Sequence, residues 1–142
     1  MGRPVTVARL SPARFGIAYV AVLIAIGVLD AVWLGVITRD FYKREMGSLM
    51  AESFRVVPAA LFYLLYPLAV VYLVLMSRPA GWVEAVLRSA VLGLAAYGAY
   101  DLTGLAIVRG WPVSLSLLDW AYGGVVTAVA GAAGYAATWA RA

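Results

Sequence analysis

Four long apolar runs dominate the chain, separated by short segments in which Arg, Lys, Asp and Glu collect. The first covers residues 15–38 and is interrupted only by Asp30. At 1.5 Å rise per residue it is long enough to cross a hydrocarbon core of about 30 Å. The second covers residues 56–76; Pro58 falls in its first turn, where it costs little, and Pro67 is interior and expected to kink it. The third covers residues 89–108, with an interfacial start near Trp82 as the alternative, and the fourth residues 113–139. Between the first two, Tyr42, Met46, Leu49, Met50 and Phe54 recur at helical spacing, with Lys43, Arg44, Glu45, Glu52 and Arg55 between them. Segment 39–55 therefore reads as a short amphipathic helix on the membrane surface or over the bundle mouth, or else as a plain interfacial connector. The pattern predicts an all-α membrane protein: a four-transmembrane-helix bundle with a short amphipathic interfacial helix between helices 1 and 2, residues 1–142 forming a single integral membrane domain.

Composition sharpens this reading. Of the 142 residues 65% are hydrophobic and 13% charged, far from the quarter or so charged in a water-soluble domain. There is no Cys and no His, which excludes disulfides, thiolate nucleophiles, haem or pigment held by His, and a Ser-His-Asp triad. No metal site is expected. The net charge of +4 comes from residues flanking the apolar runs, as at membrane borders, so no nucleic-acid partner is expected. The first run is longer than the apolar region of a signal peptide and is read as a retained helix. Met1-Gly2 with Thr6 fits a myristoylation pattern, although Pro4 sits inside it. Arg3, Arg9, Arg14, Arg78, Arg88 and Arg141 fall on one side of the four runs, against Arg39, Lys43, Arg44, Arg55 and Arg109 on the other. The positive-inside rule then places both termini in the cytoplasm.

Charged side chains inside a span cost about 2.5–3.5 kcal/mol each and usually mark a site. Three occur: Asp30, Asp101 and Asp119. Asp30 lies nine residues before Arg39, Asp101 eight before Arg109, and Asp119 eight after Trp111. Because successive helices alternate in direction, all three sit roughly 12 Å below one face. Gly27-Val28-Leu29-Asp30 also aligns with Gly98-Ala99-Tyr100-Asp101 at an offset of 71, which fits either an old duplication of a two-helix hairpin or chance.

Helical spacing surrounds these carboxylates with aromatic side chains. Trp33 and Leu34 share the face of Asp30; Tyr97, Tyr100 and Thr103 accompany Asp101; Tyr122 follows Asp119; Tyr63 and Tyr66 can turn to the same layer. The expected result is an intramembrane pocket of Asp, Tyr and Trp, with Tyr42 and Trp111 beside it, open toward Arg39, Lys43, Arg44, Arg55 and Arg109. The carboxylates Asp30, Asp101 and Asp119 are candidates for general acid, general base or cation ligand. The plainer alternative is that they bond tyrosines or arginines and fix helix packing. The fourth run is rich in small residues (Gly123, Gly124, Ala128, Gly131, Ala132 and Gly134), which fits close helix approach or a compositional bias.

The chain resembles an uncharacterised family of small bacterial membrane proteins, domain-of-unknown-function family 2177. The resemblance rests on Leu29-Asp30-Ala31-Val32-Trp33-Leu34-Gly35, Phe41-Tyr42-Lys43-Arg44-Glu45-Met46-Gly47 and Ala59-Ala60-Leu61-Phe62-Tyr63-Leu64-Leu65-Tyr66. It continues through Tyr100-Asp101-Leu102-Thr103, Trp111-Pro112 and Asp119-Trp120-Ala121-Tyr122-Gly123. It implies a four-span protein of the bacterial inner membrane and no established activity or cofactor. Gly104 stands where the resemblance implies Asn, and Tyr122 where it implies Trp.

Three functions remain open from the residues. One is an enzyme or binding protein for a lipid-like or isoprenoid ligand, its tail in the aromatic pocket and an anionic head at the basic rim. Another is a proton- or cation-coupled small transporter, for which a homodimer would provide the path. The last is an accessory subunit packed by its small-residue faces into a larger membrane complex. The lipid bilayer is the one partner common to all three.

Overall fold

Ser11 opens the first helix: its hydroxyl accepts the Arg14 amide at 3.2 Å, and Pro12 occupies the first position, where a missing amide is harmless. The structure, a computed structural model, describes residues 10–141; the myristoylation pattern at Met1-Gly2 and the flanking Arg3 and Arg9 lie outside them. Helix α1 (Pro12–Ile37) ends in a π-helical turn, Trp33–Ile37, closed where the Thr38 amide and hydroxyl both donate to the Trp33 carbonyl at 2.8 and 2.6 Å. The Thr38 carbonyl then accepts the Tyr42 amide at 3.0 Å, so the chain turns without a loop into α2 (Arg39–Met46).

Helix α2 is amphipathic as expected, with Phe41, Tyr42, Glu45 and Met46 half-buried and Arg39, Asp40, Lys43 and Arg44 exposed. It is shorter than segment 39–55. Gly47, at φ +52°, takes a backbone conformation that favours glycine, and only a single 3₁₀ turn, Gly47–Leu49, follows. Met50 and Phe54 are exposed and do not continue the stripe.

Helix α3 (Val56–Leu75) carries Pro67 in its interior and ends in a second π-helical turn, Val71–Leu75. Proline removes an amide from such a helix, and side chains of neighbouring helices donate to other carbonyls of α3. The Tyr19 phenol donates to the Leu64 carbonyl at 2.8 Å and the Trp139 indole to the Leu75 carbonyl at 3.0 Å. Helix α4 (Trp82–Ile107) begins at Trp82 rather than at residue 89. Its first turn is closed by Glu84, whose carboxylate accepts the Ala80 amide and pairs with Arg88 one turn on. Helix α5 (Val113–Thr138) completes the bundle.

All four long helices have the length and apolarity to cross a membrane, and their outer faces expose Ile17, Ile24, Leu61, Leu65, Leu87, Val91 and Val125. This is a membrane protein. Helix α5 is central, packed chiefly on α4 and α1, while α3 lies against α1 and reaches α5 through its last turn. The small residues of α5 make this approach possible. A Cβ on Gly123 would strike the Tyr97 ring, one on Gly131 would strike Ser89, and one on Gly134 would crowd Val22 and Leu75. Below the aspartates, Val22, Ile26, Val70, Val74, Leu75, Val126 and Ala130 form a dry core toward the end carrying the termini.

Gly131→Leu forces a side chain into Ser89 and should destabilise the bundle by about 1–3 kcal/mol or more. Gly16→Leu, at a position with open space around it, should be nearly neutral. Thermal unfolding of both variants in mild detergent checks the contrast.

Candidate functional site

Asp30 lies on the inward face of α1, 7% exposed, one turn before the π-helical end. An ion there is tolerable only with donors around it. Tyr63 of α3 and Tyr122 of α5 provide them, at 2.5 and 2.6 Å. Each phenol takes a different carboxylate oxygen, so Asp30 ties three helices together. The Tyr122 ring stacks on Trp33, centroids 4.3 Å apart and planes 2° from parallel.

From Trp33 the network runs to the second carboxylate. The indole donates to the Tyr42 hydroxyl at 3.2 Å, and that hydroxyl donates to Asp119 at 2.7 Å. Burial pushes the Tyr42 phenol well above the ordinary tyrosine value; the Trp33 bond opposes this and Asp119 adds to it, so Tyr42 stays a donor. The Ser114 hydroxyl also donates to Glu45 at 2.6 Å. Two hydrogen bonds thus hold α2 over α5, and the interfacial helix closes the bundle mouth.

These side chains surround a cavity of about 380 Å³. Helix α1 contributes Asp30, Trp33 and Leu34; α2, Tyr42; α3, Phe62 and Tyr63; α4, Ala96, Tyr97 and Tyr100; α5, Asp119 and Tyr122. Seven of the eleven lining residues are aromatic and none is a cation, so the cavity is an aromatic cage around two carboxylates. Leu34 lines the cavity from the face of Asp30 where its spacing places it, whereas Phe62 and Ala96 were not among the expected site residues. Phe62 was detectable, because it stands four residues before Tyr66 and stacks on it at 5.0 Å.

Several expected members fall elsewhere. Asp101 is fully buried with its carboxyl against that of Asp119, but it does not line the cavity and no other residue donates to either of its oxygens. Its environment therefore differs from that of Asp30, the residue it aligns with at the offset of 71. Tyr66 lies one layer deeper, bonded to the Thr127 hydroxyl at 2.6 Å. Thr103 turns its hydroxyl back to the Ala99 carbonyl of its own helix. The Trp111 ring packs over Gly104, where a Cβ would have no room, and edge-on to Tyr100 at 5.2 Å; its indole nitrogen is buried without a partner.

Lys43 and Arg44 are exposed on the outer face of α2, because Tyr42 and Glu45 face inward and the residues between them rotate away. Arg44 lies over the Phe41 ring at 5.8 Å and pairs with Glu45 at 3.7 Å. Arg39, Arg55 and Arg109 are likewise exposed and outside the cavity lining, so the expected basic rim does not reach the site. Among the described residues no group of three or more acidic side chains converges to hold a metal ion.

The chain matches the sequence model of a family described as "Predicted membrane protein (DUF2177)" over residues 15–136. No curated protein and no solved structure matches it.

Tyr42→Phe removes the bond from α2 to Asp119 and leaves the Trp33 indole without its acceptor. A hydrogen bond to a charged group contributes about 1.5–3 kcal/mol, so α2 amides should exchange roughly 10-fold faster or more, while those of α4 are unchanged. Hydrogen-exchange mass spectrometry reads this directly.

Proposed function

The chain belongs to the DUF2177 family of predicted membrane proteins, and from that premise we propose that it binds a lipid-like amphiphile inside the bilayer. One observation carries this reading: the cage of aromatic rings around Asp30 and Asp119, a pocket of ligand size among four membrane-spanning helices. Aromatic walls suit an apolar body, and two carboxylates fix its polar end. With no covalent nucleophile beside the acids, the reading is of binding rather than group transfer. The accessory-subunit reading loses its motive, because Gly123, Gly124, Gly131 and Gly134 are used inside the bundle.

A second reading, proton- or cation-coupled transport, is favoured by Asp101. A buried carboxyl whose one polar neighbour is a carboxyl lining the cavity provides two groups able to share one proton or one cation. Under this reading Asp101→Asn abolishes the pH dependence of ligand flux in vesicles, and unchanged flux rules it out.

The protein would work in the bacterial inner membrane with both termini cytoplasmic, so the α2 face and the cavity mouth belong to the outer leaflet. The chain has no native cysteine, so single cysteines report sidedness. In intact cells a membrane-impermeant maleimide should label Ser48→Cys and spare Ser77→Cys; the reverse pattern inverts the topology.

Amphiphile binding is tested by extracting lipid from the purified wild-type chain and from Ala96→Trp, which fills the cavity. A co-purifying amphiphile should be retained by wild type and largely lost from a folded Ala96→Trp. Equal retention by both would refute the reading.

A further inference from the structure

We infer that the molecule taken by this cavity is an alkylammonium, its cationic head in the cage and its chain in a groove between α1 and α3. The inference rests on the amphiphile-binding reading and adds the charge of the head and the path of the tail.

The head is assigned by what the cavity presents. Aromatic faces carry negative potential and attract cations, most strongly where water is excluded. Its two carboxylates are accompanied by no Lys or Arg. Four of its six side-chain donors are already committed (Tyr63 and Tyr122 to Asp30, Tyr42 to Asp119, and the Trp33 indole to Tyr42), which leaves the neutral phenols of Tyr97 and Tyr100 against two acids. Asp119 receives one phenol, that of Tyr42, and its other polar neighbour is the Asp101 carboxyl, so it brings a second acid and no donor to the cavity. An anionic head would meet two acids within an aromatic wall and no cation; a trimethylated or protonated amine meets a matched site.

The tail is assigned by continuity. A second, more open groove runs along α1 from Leu23 to Gly35 and shares Asp30, Leu34 and Tyr63 with the cage. Gly27 and Gly35 have open space where a side chain would lie. Leu23 is seven residues before Asp30, about 10 Å deeper along α1. A chain running from the cage toward Leu23 therefore points at the bilayer midplane, the orientation of an amphiphile entering sideways from one leaflet.

The test uses the full chain in phosphatidylglycerol nanodiscs, which contain no ammonium. Equilibrium binding of radiolabelled dodecyltrimethylammonium, dodecyl sulfate and dodecylphosphocholine is measured below micelle-forming concentrations, with Ala96→Trp as the background. The ammonium probe should bind at least about tenfold more tightly than the sulfate, and Asp119→Asn should remove most of that difference. Phosphocholine binding as tight as the ammonium identifies a choline headgroup as the source; weaker binding identifies a free alkylammonium. Equal binding of sulfate and ammonium above background overturns the ammonium head and leaves the amphiphile reading standing. Binding of neither above background overturns both. Ala31→Leu should weaken dodecyltrimethylammonium and leave ethyltrimethylammonium unchanged; equal effects, or none, overturn the path of the tail. The comparison among probes on the wild-type chain stands even if a variant fails to fold.

Discussion

Asp30 accepts hydrogen bonds from Tyr63 of α3 and Tyr122 of α5, so one carboxylate on α1 joins three of the four membrane helices. Inside a bilayer an unpaired ion is costly, and the phenols convert that cost into a constraint on how the helices may sit. Tyr122 then orients Trp33 by stacking, Trp33 orients Tyr42, and Tyr42 places α2 over Asp119. The cavity is the space these rings enclose. The dry core below holds the helices together, but it does not determine where that space lies or what lines it.

Much of this was legible in the sequence, for physical reasons that differ from residue to residue. Rise per residue fixes depth, so the common level of Asp30 and Asp119 could be read from their distances to the span ends. Rotation about the helix axis depends on which neighbour each helix meets, and that is a tertiary property. Asp101 has the right depth but turns into the α4–α5 seam, and Tyr66 pairs with Thr127 instead of joining the layer above. Tyr63, Tyr97, Tyr100 and Tyr122 were legible because aromatic side chains at helical spacing from an intramembrane acid have few other places to go. Lys43 and Arg44 misled as rim residues: proximity along the chain to Tyr42 is separation across a helix. The length of α2 was overestimated because Phe54 and Met50 kept an apolar period beyond Gly47, where the backbone ends the helix. The third span takes the alternative start near Trp82, because Glu84 and Arg88 pair across the first turn of α4.

The two π-helical turns fall where the site needs them. One ends α1 immediately after Asp30 and puts Trp33 at the start of the turn to α2; the other ends α3 beyond Pro67. Such turns add a residue to the helical circuit and are frequent at functional sites. Gly104 and Tyr122, where the family resemblance implies Asn and Trp, have local consequences of the same kind. Glycine lets the Trp111 ring lie against α4, and tyrosine gives Asp30 its second phenol. An acid held by two phenols, a second acid set against a buried third, and a surrounding of rings together describe a site for a positively charged amphiphile more economically than a scaffold alone.

The central claim is that the Asp30–phenol clamp holds the helices around the cavity, and a double-mutant cycle between Asp30→Asn and Tyr122→Phe measures it most directly. Unfolding free energies of wild type, both single variants and the double variant are obtained in the same detergent. Removing a hydrogen bond to an ion costs about 1.5–3 kcal/mol, so the account predicts a coupling energy of that order, the double variant being little worse than the poorer single one. Effects that simply add would mean that Asp30 and Tyr122 act independently, and the clamp would not exist.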